Sequence, residues 1–362
     1  MKLLDSFYDP VLARKLAGDI GRIAGDRRFN LMEVCGTHTV SIFRSGLRSL
    51  LPPSLRLLSG PGCPVCVTPR EIIDEIIIRS RQPGTVIATF GDMLNVPGAE
   101  STLRKEKSRG ADVRMIYSPL EGLRLARENP GKKVIFLAIG FETTIPSAAA
   151  AVLEAEKSGI GNFFVLPAGR LIPPAMEFLL SGDDVKIDGF LCPGHVSVII
   201  GTKPYRKIAE RFHTPCVIAG FEPLDILAAI RELLVMITGG AGGVRNLYPR
   251  AVREEGNPRA RKVMETVFQV TDAQWRGLGI IPASGISLRP AFGKHDAGWL
   301  EPVELPAAPP DSRCICGRIL RGAAVPVDCP VFGTGCIPSS PLGPCMVSSE
   351  GTCAAWFRYG NY

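Results

Sequence analysis

Residues 55–71, Leu55-Arg56-Leu57-Leu58-Ser59-Gly60-Pro61-Gly62-Cys63-Pro64-Val65-Cys66-Val67-Thr68-Pro69-Arg70-Glu71, decide how the chain is read. Leu55–Leu58 is a short apolar strand pattern, and the glycines and prolines after it make a stiff turn holding two thiols three residues apart. Thr68-Pro69-Arg70-Glu71 reads as a capping box with proline at the first helical position, leading into Ile72, Ile73, Ile76 and Ile77 on one helix face. The thiol pair is thus expected just ahead of a helix N-terminus, at the C-terminal end of a strand in a β-turn-α unit. Ligand and reactive sites of open α/β sheets lie at that position.

Working outward, residues 9–25 have a helical period, Phe29–Val34 reads as a strand, and Cys35-Gly36-Thr37-His38-Thr39 turns into a helix carrying Val40, Phe43, Leu47 and Leu50. Positive partial charge at a helix start favours thiolate, which makes Cys35 a candidate nucleophile or metal ligand with His38 beside it in sequence. Downstream, β-branched apolar runs at Thr85–Phe90, Val113–Tyr117, Val134–Ile139, Phe163–Leu166, Gly189–Leu191 and Cys216–Ala219 alternate with helical segments. Runs apolar on both faces imply parallel sheets covered by helices, an α/β fold. Residues 59–92 and 192–222 share a faint strand-turn-helix-strand repeat, which suggests two similar lobes at about 30–125 and 126–240, with chance similarity of two βαβ units as the alternative. Beyond Gly239–Gly243 a helical segment with Val252, Val263, Met264, Val267 and Phe268 runs through Trp275 into a region of fading periodicity.

Composition narrows the function classes. A net charge of +7 without a Lys/Arg run argues for a solvated basic surface and against nucleic-acid binding. Met1–Phe7 lacks the apolar core of a signal peptide, and the longest uncharged run, Cys329–Ser349, is too rich in Gly, Pro and Cys for a membrane helix. Eleven cysteines without an export signal then favour a reducing, cytoplasmic setting, where cysteine clusters bind metal or do redox work.

Cys329, Cys336, Cys345 and Cys353 lie on Gly/Pro-rich loops that allow four thiolates to converge. None of the four sits in a C-x2-C knuckle, so a [4Fe–4S] cluster is preferred over zinc, with disulfides third; the nearby C-x-C pair Cys314/Cys316 is an alternative source of ligands. Cys63/Cys66 is either a redox dithiol or half of a metal site, unless it is two buried thiols, and Gly60 and Gly62 argue against good cover. Cys192 and Cys216 read as core residues. His195 ends a strand and can line a cleft; His213 and His295 read as surface or satisfied. Asp92, Glu142, Glu222 and Asp225 follow strands and either face a cleft or cap the next helix. No phosphate-binding loop, Ser-centred elbow or dinucleotide fingerprint is present to support nucleotide chemistry.

Several of these segments together resemble the HypD family of hydrogenase maturation factors. They are Glu33-Val34-Cys35-Gly36-Thr37-His38-Thr39, Gly60-Pro61-Gly62-Cys63-Pro64-Val65-Cys66-Val67-Thr68-Pro69, Phe90-Gly91-Asp92-Met93, Gly140-Phe141-Glu142-Thr143-Thr144, Cys192-Pro193-Gly194-His195-Val196-Ser197 and the block from Asp328-Cys329-Pro330 to Cys353-Ala354-Ala355. The resemblance covers nearly the whole chain and every family cysteine. It implies two related α/β lobes plus an irregular iron–sulfur domain built from both termini, residues 1–29 with 241–362. It also implies a scaffold for the Fe(CN)2CO unit of [NiFe]-hydrogenase, working with the chaperone HypC and receiving cyanide from HypE, itself supplied by HypF. Cys35 would ligate the iron beside His38, Cys63 and Cys66 would be a redox dithiol, and Cys329, Cys336, Cys345 and Cys353 would hold a [4Fe–4S] cluster. Such a protein is an assembly scaffold with redox activity more than a turnover enzyme; a cluster-dependent disulfide reductase and a structural zinc protein with metabolite-binding lobes are the competing readings.

Overall fold

The computed structural model describes residues 8–183, 185–307 and 313–360; the leader expectation at Met1–Phe7 lies outside them. In chain order the strands of the α/β body are β1 (Phe29–Glu33), β2 (Leu55–Ser59), β3 (Thr85–Thr89), β4 (Asp112–Met115), β5 (Lys133–Gly140), β6 (Phe163–Gly169), β7 (Gly189–Pro193), β8 (Cys216–Ala219) and β9 (Val244–Asn246). They form two sheets, β2-β1-β7-β8-β9 and β4-β3-β5-β6. Every pairing within them is parallel. β3 and β7 are buried along their whole length, as the continuous apolar runs require of strands covered on both faces.

The α/β class and the two parallel sheets match the sequence reading, but strand membership does not follow the expected division at residues 125/126. The first sheet draws on residues 29–59 and again on 189–246, whereas the second is one run from 85 to 169. The two members of the faint repeat also differ. The segment 59–86 crosses from the first sheet to the second, while 192–217 stays within the first. Local sequence marks a strand without naming its neighbour: Leu31 and Met32 lie opposite Gly189 and Phe190, more than 150 residues away.

Each sheet reverses its strand order once, between β1 and β7 in the first and between β3 and β5 in the second. These are the topological switch points at which strand ends diverge and leave a crevice. Helix α1 (Pro10–Ala24), N-capped by the Asp9 carboxylate accepting from the Val11 amide at 2.8 Å, packs on the helix Pro223–Thr238 over the first sheet. The expected helix near 252–268 ends at Val267, and Phe268 opens a hairpin that the sequence reading missed, β10 (Phe268–Trp275) with β11 (Gly279–Leu288). It docks beside β6, where the Leu171 amide donates to the Ser284 carbonyl. Among the described residues no helix is long and apolar enough to cross a membrane.

Candidate functional site

The ends of β1 and β2 are level, with Glu33 opposite Ser59. The two loops leaving these ends are locked together. The Gly36 amide donates to the Gly62 carbonyl at 3.0 Å. A Cβ on Gly62 would come closer than 3.0 Å to the Cys35 backbone, so only glycine lets the two turns meet. Cys35 N-caps helix α2 (Gly36–Arg44), as the sequence suggested.

The expected capping box at Thr68 does not form. Cys63 instead N-caps a one-turn helix, α3 (Pro64–Val67), and its sulfur accepts the Cys66 amide at 3.2 Å. Thr68 ends that turn, its hydroxyl donating to the Pro64 carbonyl, and helix α4 (Arg70–Ser80) starts after Pro69 without a side-chain cap. Proline at position 64 starts a turn earlier than the Thr68 template allows. Cys63 and Cys66 are joined by a disulfide, and at 4% and 2% exposure they are well covered despite Gly60 and Gly62. They belong to one apolar cluster with Ile73, Ile139 and the C-terminal Cys345.

Around Cys35 burial outweighs the helix start. Burial pushes the thiol up to about 12; the Glu350 and Glu33 carboxylates add to this, and the His38 and Thr37 amides act against it. Cys35 is therefore held as a thiol, and the thiolate expected from the helix start is not its metal-free state. Glu33, quoted in the motif but not singled out, lies beneath it: its carboxylate accepts the Cys35 amide at 3.0 Å and the Thr39 hydroxyl. Burial pushes Glu33 up to about 8.

His38 is wholly buried. Its Nε2–H donates to the Gly220 carbonyl at 2.8 Å, which leaves Nδ1 unprotonated and without a partner. Burial lowers its pKa to about 4, so the ring is neutral near pH 7. The His38 ring leans on Phe221, which stacks on the exposed His195 at 3.9 Å between centroids. His195 therefore reaches this end of the sheet. His213 caps the helix Lys203–Phe212, and buried His295 meets the Phe163 carbonyl. Cys192 and Cys216 are buried core thiols, as expected.

The C-terminal segment is fastened onto the Cys35 turn. Thr37 donates to Glu350 Oε1 at 2.7 Å, and a Cβ on Gly36 would collide with Glu350. A Cβ on Gly351 would likewise strike Cys345. Asp92 Oδ2 accepts from Ser348 Oγ at 3.0 Å and from the Ser349 amide, making it an anchor for this loop. Glu142 accepts the Ile172 amide, while Glu222 and Asp225 both pair with Arg250. All four carboxylates thus hold structure.

Beyond this fastening the structure gathers more thiols than the four singled out. Cys345 and Cys353 share a thiol hydrogen bond, and so do Cys314 and Cys316. Cys314 is close enough to act electrostatically on Cys336, Cys345 and Cys353. The Cys336 and Cys345 sulfurs accept amides from Leu342 and Cys353 at 3.3 and 3.2 Å, a bond type that tunes iron–sulfur ligands. Among the described residues no three His, Cys, Asp or Glu side chains close on a single ion. The donors are all thiols, the soft ligand type that an iron–sulfur group takes.

Known proteins resemble the chain along nearly its whole length. A family model described as HypD, "Hydrogenase formation hypA family", matches residues 11–360. The chain is 45% identical over 369 aligned positions to the hydrogenase expression/formation protein HupD of Azotobacter chroococcum, covering 100% of this chain and 97% of that protein. It is 43% identical to the hydrogenase maturation factor HypD of Rhodobacter capsulatus, covering 100% and 99%. The chain therefore belongs to the HypD family of hydrogenase maturation factors.

Proposed function

We propose that this maturation factor is a cytoplasmic scaffold on which the Fe(CN)2CO unit of [NiFe]-hydrogenase is assembled. The iron cargo is held by Cys35 and shared with a HypC-type chaperone; cyanide arrives from a HypE-type donor with HypF upstream. The observation that carries this reading is the close contact of three thiol groups through glycine: the Cys35 turn on Gly62 of the Cys63/Cys66 loop, and Gly36 on Glu350, next to the Cys345/Cys353 pair. A groove of about 820 Å³ beside Cys35, lined by Tyr8, Arg14, Thr37, Ser41, Phe221 and Glu350, offers the chaperone a place to dock.

The chemistry divides among the chain's own groups. Cys35 gives up its proton as it takes the iron, since the thiolate is the ligand. The proton cost set by burial favours release only when a metal is present to replace it. His38 Nδ1, neutral and unpartnered, is a hydrogen-bond acceptor kept available in that dry site. The Cys63–Cys66 disulfide takes two electrons and two protons to become two thiols. Cys329, Cys336, Cys345 and Cys353 would hold a [4Fe–4S] cluster, with Cys314 as the neighbouring thiol able to substitute, and the cluster would supply electrons one at a time. The burial of both Cys63 and Cys66 favours this internal use over the competing reading, reduction of a diffusing protein disulfide.

Infrared spectroscopy of the anaerobically purified complex with its HypC-type chaperone tests the reading. Cyanide and carbonyl stretching bands are expected for the native protein and should vanish in Cys35→Ala. Bands of full intensity in Cys35→Ala would remove Cys35 as the cargo ligand.

A further inference from the structure

One basic feature is not used by the assembly reading. A cavity of about 510 Å³ is lined by Arg70, Arg276, Arg318 and Arg321 together with Cys314 and Cys316, and Glu71 is the single carboxylate among its described lining residues. Arg70 is partly neutralised by Asp74 at 3.4 Å. Arg318 is exposed and has no ion-pair partner among the described residues. Arg276 hydrogen-bonds the Cys316 thiol, and its amide donates to the Val67 carbonyl, one residue past Cys66. The cavity therefore opens on the Cys314/Cys316 pair, and the Arg276 backbone ties its wall to the segment that follows Cys66. Cys314 and Cys316 are half-buried, as are Cys329 and Cys353, while Cys336 and Cys345 are buried; it is the Cys314/Cys316 pair that comes to the surface within the arginine frame.

We propose that this arginine-lined face is the docking surface for a small acidic one-electron carrier protein that feeds electrons into the C-terminal thiol centre. The proposal rests on the reading that this centre holds a [4Fe–4S] cluster. Electron carriers form small, weak, transient interfaces, and their capture depends on charge complementarity steering the encounter. A positive frame around a surface-reaching part of this thiol centre is suited to that task, and the net charge of +7 leaves the wider surface attractive to an anion. Each docking event moves one electron from the carrier, which leaves oxidised by one. Two events, with two protons from solvent, reduce the Cys63–Cys66 disulfide to two thiols.

The test uses full-length, anaerobically purified protein and a reduced [2Fe–2S] ferredoxin as probe. Arg318→Glu is compared with Arg124→Glu, which makes the same charge change on an exposed helix over the second sheet. At low salt Arg318→Glu should slow ferredoxin-driven bleaching of the visible absorbance roughly tenfold, leave bleaching by dithionite unchanged, and converge with the control at high salt. Equal ferredoxin rates in the two variants overturn the proposal. Calorimetric binding of oxidised ferredoxin decides independently of any cluster: weaker binding in Arg318→Glu than in Arg124→Glu supports the docking face, and equal binding overturns it. A protein with no visible absorbance to bleach would sink the cluster reading alone, and the binding comparison would still decide the docking face.

Discussion

The two sheets have the same architecture and use their switch points differently. At the end of the first, β1 presents Cys35 and His38, β2 supplies Cys63 and Cys66, and β7 leads to His195. At the end of the second, Asp92 follows β3, Glu142 follows β5 and Arg170 follows β6. These groups are spent on holding other parts in place. Asp92 ties down Ser348 and Ser349, Glu142 accepts the Ile172 amide, and buried Arg170 donates to the Gln274 carbonyl of the hairpin at 2.8 Å. One edge carries the Cys35 thiol and the Cys63–Cys66 disulfide, and the other carries the clamps that hold the hairpin and the C-terminal loop. A switch-point crevice is thus a place where side chains can converge, and residue type decides whether they react or fasten.

The comparison can be broken most sharply at Gly62. If the first edge is built by backbone close contact, Gly62→Ala must push the Cys35 turn away, because the obstructing atoms are backbone and cannot rotate aside. The loss should exceed the roughly 3 kcal/mol usual for overpacking a core. Gly335→Ala in the C-terminal loop, where a Cβ would meet Val331 at 3.5 Å, should be nearly silent. Urea unfolding of both variants provides the measurement, and similar midpoints would mean that the loops at the first edge are not locked.

The second edge predicts a pH effect. Burial pushes Glu142 up to about 7 from an ordinary 4.5. Between these values the folded chain keeps a proton that the unfolded chain has lost, so stability present below pH 4.5 is lost as pH rises through 7. Glu33, at about 8, acts in the same direction over a wider window. Glu142→Gln stays neutral and keeps an acceptor for the Ile172 amide, so it should be more stable than the native protein by on the order of 3 kcal/mol at pH 8 and near parity at pH 4.5. Parallel stability losses from pH 4.5 to 8 in both proteins would show that Glu142 is not the group responsible.

What could be read in advance follows from how local each cause is. The strand Leu55–Ser59, the helix Arg70–Ser80 and the buried strands depend on neighbours in sequence, and they stand close to where periodicity places them, whereas the turn between Cys63 and Pro69 does not. Nor does strand order, because the partner of Leu31 is Gly189 and no local pattern states that. The hairpin does not stand out in the sequence although Phe268–Trp275 alternates in burial, because its apolar–polar alternation follows directly on a helix and reads as its continuation. At the site, the cysteines announced themselves by type. The protonated state of Cys35 and the part played by Glu33 did not, since both follow from burial in the folded chain, and Glu350 reaches Thr37 from more than 300 residues away. Asp92 was found by its position after a strand, but its role needed Ser348 and Ser349 to be brought beside it.

That role gives the mildest test of the division between the edges. Asp92→Ala removes the acceptor shared by the Ser348 hydroxyl and the Ser349 amide and hydroxyl, while leaving every thiol untouched. Each lost bond is worth about 1 kcal/mol and the bonds share one oxygen, so a global loss of roughly 1–2 kcal/mol is expected. The effect should be local: hydrogen exchange should rise in residues 345–353 and not at β1 or β2, because the clamp, not the sheet, has been released. Asp92→Asn keeps a side-chain oxygen at the same reach and should recover most of the protection. Exchange that rises equally at Cys35 and across β1 would show that the two edges are one cooperative unit, and the separation of chemistry from fastening would then fail.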